Sequence, residues 1–219
     1  MQTQAIGTRS TLETNKLIRS TYTLLSMTLL FSAAMAAVSM AIGATRGMGL
    51  VATLVGIGLL WFALPRTANS GAGIGVVFAF TGLLGFGLGP IISFYLSLPN
   101  GGQTVMMAMG GTGAIFLGLS GYALSTRRDF SFMGGFLGVG LIVVVLAMLA
   151  NLFFQVPAVS LAMAAAMVLL MSGLILYETS QMVHGYVDNY IVMTANLFLS
   201  IINLFQSLLM LLGFAGGDD

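Results

Sequence analysis

The side chains of this sequence that could do chemistry gather toward its C-terminal end. Asn196, Ser200, Asn203 and Ser207 follow one another at i, i+4, i+7 and i+11, so on a helix they form one polar stripe. Such a stripe either hydrogen-bonds neighbouring helices or lines a polar path for protons or cations, and the residues alone leave both readings open. Upstream, Glu178 and Asp188 are the only acids between Asp129 and the terminal pair Asp218 and Asp219. Glu178 directly follows an apolar stretch, and a carboxylate at membrane depth costs ~2.5–3.5 kcal/mol, so acids there tend to be paired or functional. Arg66 is a candidate partner for it; the alternative is that Glu178 simply reaches the headgroup water. His184, the sole histidine, reads as a loop residue that could sense protons beside Glu178, but it cannot build a metal site alone.

A second motif, Gly118-Leu119-Ser120-Gly121, resembles the Gly-x-Ser-Gly of rhomboid-type intramembrane proteases. Their serine needs a histidine base within the membrane, whereas His184 falls in a loop beyond it. Small residues four apart account for the motif as helix packing. The sequence has no cysteine, which excludes disulfides and thiol chemistry. It also has no His-Glu-x-x-His, Walker loop or paired intramembrane aspartates. No catalytic residue, cofactor or metal site is expected, and no basic run points to nucleic acid.

The elements that must position these residues follow from composition. Of 219 residues, 58% are hydrophobic and 6% charged, against roughly 25% charged in a soluble domain. Such a chain cannot clothe a soluble surface, so the lipid bilayer must be its solvent. About 20 helical residues cross a hydrocarbon core of ~30 Å. Polar and Pro/Gly punctuation then divides the sequence into seven spans at 21–44, 48–64, 71–98, 104–124, 132–153, 158–177 and 190–214. The expected fold is an all-α integral membrane protein: a polar cytoplasmic tail at 1–20, seven transmembrane helices within 21–214, and a short acidic end at 215–219.

Polar groups facing lipid would lack partners, so the stripe of the last span should turn inward and that helix should be central in the bundle. Small residues four apart (Gly71 and Gly75, Gly85 and Gly89, Gly110 with Ala114 and Gly118, Gly134 and Gly138) are expected to face neighbours in spans three to five. With a cytoplasmic N-terminus, inner segments carry Arg9, Lys16, Arg19, Arg66, Arg127 and Arg128 and outer ones only Arg46, six against one. The C-terminus then lies outside.

Specific stretches extend this reading. Gly82-Leu83-Leu84, Gly87-Leu88-Gly89-Pro90-Ile91 and the following 108–122, with Thr112 and Phe116, resemble the signature of the Bax-inhibitor-1 family. Tyr177-Glu178-Thr179-Ser180-Gln181 is similar to the family's Tyr-Asp-x-x-Gln, and Asn196-Leu197-Phe198-Leu199-Ser200-Ile201-Ile202-Asn203-Leu204-Phe205 to its final helix. The resemblance covers most of the chain beyond the tail and implies seven spans with the last helix surrounded by the other six. It implies for some relatives a pH-dependent leak of cations, especially calcium, carried by aspartates on spans six and seven that share a proton. Glu178 stands at the first of those positions and Ser200 at the second, so the shared-proton pair is broken here. Within the family the chain is most similar to a proteobacterial branch linked to the membrane-bound AAA+ protease FtsH as inhibitor and slow substrate. The resemblance therefore implies a non-enzymatic modulator of FtsH in the bacterial inner membrane, N-terminus cytoplasmic and C-terminus periplasmic. The alternative is a pH-sensitive calcium leak channel with an altered carboxylate pair. The polar segment 1–14 is the kind of tail such a protease could engage.

Overall fold

The computed structural model describes residues 11–215, so the first half of the expected tail and residues 216–219 of the acidic end lie outside the described residues. The described residues form eight α-helical segments: α1 (Thr11–Ala41), α2 (Arg46–Gly58), α3 (Leu64–Thr67), α4 (Ala72–Leu96), α5 (Gly101–Thr126), α6 (Met133–Phe154), α7 (Pro157–Val183) and α8 (Tyr190–Ala215). A π turn, Leu59–Ala63, fuses α2 to α3, and no strand occurs among the described residues. Seven spans result, each long and apolar enough to cross a bilayer. The all-α, seven-span expectation holds.

Three of the boundaries that differ from the sequence reading have a physical reason. Helix α1 is already formed at Thr11, the first described residue, instead of beginning near residue 21, with Lys16 and Arg19 exposed and Leu17 buried. Polar composition marks where a helix leaves the apolar phase, and Lys and Arg are good helix formers there. Pro65 was expected to close span two, yet the helix runs on through Thr67. A proline clashes with the carbonyl four residues back, and the π turn relieves this by routing the Leu64 N–H to the Leu59 carbonyl. The Arg66 guanidinium and the Thr67 hydroxyl then donate to the carbonyls of Phe62 (2.6 Å) and Ala63 (2.8 Å). Helix α7 was expected to end at 177 but continues to Val183, because the polar residues that follow find partners inside the protein.

Helix α8 packs against α1, α4, α5 and α7, while α4 packs against α1, α2, α5 and α8. The α2 segment leans chiefly on α4, and α6 chiefly on α7. Between α4 and α8, Phe80 and Phe198 meet edge to face at 5.6 Å, both fully buried. Helices α1 and α4 approach closely: a Cβ added at Gly85 would overlap the Ser32 carbonyl oxygen, and one at Gly89 would overlap Ser39 Oγ. The small-residue expectation also holds at Gly134, where an added Cβ would meet the Tyr177 side chain of α7 at 3.0 Å, but it fails at Gly71, Gly75, Gly110, Gly118 and Gly138, where an added Cβ meets nothing within 4 Å. A four-residue spacing defines a face; it does not say whether a neighbour or lipid covers it.

Three loops share one end of the bundle. Asn189 donates to Ala68 O and Asn69 Oδ1, tying the α7–α8 loop to the α3–α4 loop. Ser180 Oγ donates to Arg128 O and accepts from Phe130 N, tying α7 to the α5–α6 loop. Arg66, Arg127 and Arg128 therefore lie at this end. Arg46 lies at the other, its guanidinium 4.9 Å from the Phe94 ring.

Candidate functional site

Because α7 extends past 177, Glu178 sits inside a helix and not at its frayed edge. Its side chain is 7% exposed, and Ser200 Oγ of α8, 2% exposed, donates to Glu178 Oε2 at 3.1 Å. The structure thus brings together the two positions that the sequence set apart as an altered pair. It does not bring Arg66 to them. That side chain is exposed and turns back on the Phe62 carbonyl of its own helix. The headgroup-water alternative also gives way, since the Glu178 carboxyl is enclosed.

The next two residues extend the cluster, because successive helical side chains point about 100° apart. Thr179 Oγ1 shares hydrogen bonds with Tyr22 OH of α1 (3.3 Å) and Ser120 Oγ of α5 (3.4 Å). Ser180 holds the α5–α6 loop as described above. One turn of α7 thereby fastens α8, α1, α5 and a loop. Thr179, Ser180 and Tyr22 were not among the candidate residues. Runs of hydroxyls in an apolar chain were the available signal, but their partners are distant in sequence.

Ser120 therefore meets a threonine and not a histidine. His184 closes α7, with Nδ1 2.9 Å from the Ser180 carbonyl oxygen and its ring stacked on Tyr186 at 5.8 Å. Tyr186 OH in turn donates to Asp129 Oδ2 at 2.8 Å. The Ser131 N–H and the Tyr186 hydroxyl hold the Asp129 carboxyl below the usual carboxylate range. The same bond pushes the Tyr186 phenol up from its ordinary value. The described residues contain no group of three or more His, Cys, Asp or Glu that could hold a metal ion.

The polar stripe of α8 divides. Ser200 and Ser207 are buried, Asn203 is half-buried and Asn196 is exposed, contrary to the expectation that all four turn inward. At 100° per residue Ser200 and Asn203 stand about 60° apart round the helix, enough to straddle the edge of a packed face. Asn203, Gln206 and Ser207 line a groove of about 880 Å³, with Tyr95 of α4 on one wall and Met163 and Met167 of α7 on the other. Glu178 does not line it. A continuous path from the carboxyl along the stripe is therefore not what the geometry displays.

Known proteins add to this geometry. Residues 14–217 match the Bax1-I family, described as inhibitor of apoptosis-promoting Bax1. The chain is 48% identical over 209 residues to the modulator of FtsH protease YccA of Escherichia coli K12, covering 95% of this chain and 94% of that one. The same identity and coverage relate it to a protein of a second Escherichia coli strain called inner membrane protein YccA. An uncharacterized membrane protein of Vibrio cholerae is 45% identical over 219 residues, covering 100% of this chain and 98% of that one.

Proposed function

The chain belongs to the Bax1-I family, and on that premise we propose that it is a membrane-embedded, non-enzymatic modulator that restrains the AAA+ protease FtsH. Its likeness along almost the whole chain to a relative named for that role carries the reading. The site chemistry agrees with it. Glu178, Thr179 and Ser180 spend their hydrogen bonds on structural partners, and Ser120 has no base beside it.

The protein acts from the inner membrane, with N-terminus cytoplasmic and C-terminus periplasmic. The gathering of Arg66, Arg127 and Arg128 at one end of the bundle, with Arg46 at the other, supports that orientation. The segment 1–14 gives FtsH a handle, although of it only residues from Thr11 onward are described, as the start of α1. Deleting 1–10 is expected to slow FtsH-dependent turnover and leave the fold intact; unchanged association and turnover would remove the tail from this account.

Affinity capture of the tagged protein from native membranes in mild detergent, read by mass spectrometry, tests the main reading. FtsH should be recovered well above an unrelated seven-span control, and its absence from intact protein would overturn the reading. The contact between Glu178 and Ser200 favours one second reading, a calcium leak gated at this pair. Because Ser200 carries no charge, little flux is expected from reconstituted liposomes, and Ser200→Asp should raise it and make it pH-dependent. Wild-type calcium flux abolished by Glu178→Gln would instead promote the leak above the modulator.

A further inference from the structure

The groove along the outer half of α8 has a floor that its own protein does not satisfy. Ser207 is 8% exposed and its hydroxyl makes no hydrogen bond within the described chain. Gln206 beside it makes none either, and Asn203 uses one amide hydrogen on the Leu199 carbonyl (2.8 Å), leaving its oxygen free. Asn203 stands midway along α8, so these groups face the groove at membrane depth. Acyl chains neither donate nor accept hydrogen bonds, and an amide left bare in hydrocarbon costs several kcal/mol on transfer scales. The occupant must therefore be polar at one point and apolar elsewhere. The walls fit that description, because Met148, Met163, Met167 and Met210 surround the amides with flexible thioethers that can repack around a partner.

We infer, on the premise that FtsH is the partner, that this groove, with α4 on one side and α6 and α7 on the other, seats a transmembrane helix of FtsH through a hydroxyl or amide side chain near that helix's midpoint. Gln206 and Ser207 pair with that polar side chain, and the methionines close round the apolar residues flanking it.

Photoreactive benzoylphenylalanine is placed at Met163 in the groove or, as control, at Leu54 on the exposed face of α2, and the tagged protein is captured from irradiated native membranes. FtsH should crosslink from position 163 and not from 54. In protein without the probe, Gln206→Leu, which removes a polar group from the apolar phase and so does not weaken folding, should lower recovery of FtsH about three- to thirty-fold, the loss of one interhelical hydrogen bond. If FtsH is captured but crosslinks only from 54, or Gln206→Leu leaves its recovery unchanged, the groove assignment is overturned and the modulator reading stands. A crosslink from 163 to phospholipid alone also overturns it, making the groove a lipid slot. Failure to capture FtsH from any face removes both.

Discussion

At the scale of single residues, burial decides what each polar group does. The buried Glu178 carboxyl accepts one side-chain hydrogen bond among the described residues, from Ser200. Removing that donor leaves a buried carboxyl unpartnered, so Ser200→Ala should cost ~1–3 kcal/mol, seen as a lower thermal midpoint in detergent. Glu178→Gln retains an acceptor at the same place and should shift the midpoint less. Equal losses would mean that Ser200 acts by packing. The Asp129–Tyr186 bond makes a separate prediction, about pH. Asp129 is lowered by its hydrogen bonds, so its contribution is present at neutral pH and is lost as pH falls through the depressed value, below the ~3.9 of an ordinary Asp carboxyl. Tyr186 is raised, so its contribution persists through ~10 and is lost only above that. Protection of the Phe130 and Ser131 amides against hydrogen exchange, taken relative to the intrinsic rate at each pH, should therefore fall only at the two extremes, and in Tyr186→Phe the acid limb should move up toward the ordinary carboxylate value. Glu178 and Ser200 could be picked out in the sequence because both interrupt apolar helices. The choice of Arg66 as partner failed because sharing a side of the membrane says nothing about which way a long side chain turns.

At the scale of helices, the number and order of the spans were legible because 20-residue apolar stretches leave few alternatives. Their ends were not, since polar residues continue a helix wherever water or a buried partner satisfies them. Helix α7 shows this most clearly, running through Glu178, Thr179 and Ser180 on the strength of contacts to α8, α1 and α5 that no local pattern discloses. Glycine spacing misled in the same way. Gly85 touches the α1 backbone, whereas Gly118 meets nothing, although both belong to the same four-residue pattern. Gly85→Ala should therefore force α1 and α4 apart and destabilise by ~1–3 kcal/mol, as overpacked sites do. Gly118→Ala should stabilise by ~0.5–1 kcal/mol, the helix-propensity gain. Thermal midpoints of the two variants in the same detergent separate these outcomes, and a loss at Gly118 would mean that its face is covered after all.

At the scale of the whole molecule, the two ends differ in kind. One is knitted together by Asn189, Ser180 and the Asp129–Tyr186 bond, which join three loops across the bundle. Toward the other, the polar floor of α8 stays open between α4 and α7. On the orientation proposed above, the tied end with its arginines stands in the inner leaflet and the groove opens nearer the other end. This asymmetry means something only if the tied end is cytoplasmic, and the chain is well suited to testing that because it contains no cysteine of its own. Arg46→Cys removes an exposed cation–π contact worth ~0.5–1 kcal/mol, and Arg128→Cys leaves the loop's bonds through its backbone carbonyl in place, so both should fold. A membrane-impermeant thiol reagent added to spheroplasts should label Arg46→Cys at once and Arg128→Cys only after the membrane is breached. The reverse order would turn the bundle over, put the tied loops in the periplasm and place the N-terminal segment beyond the reach of a protease that works from the cytoplasm.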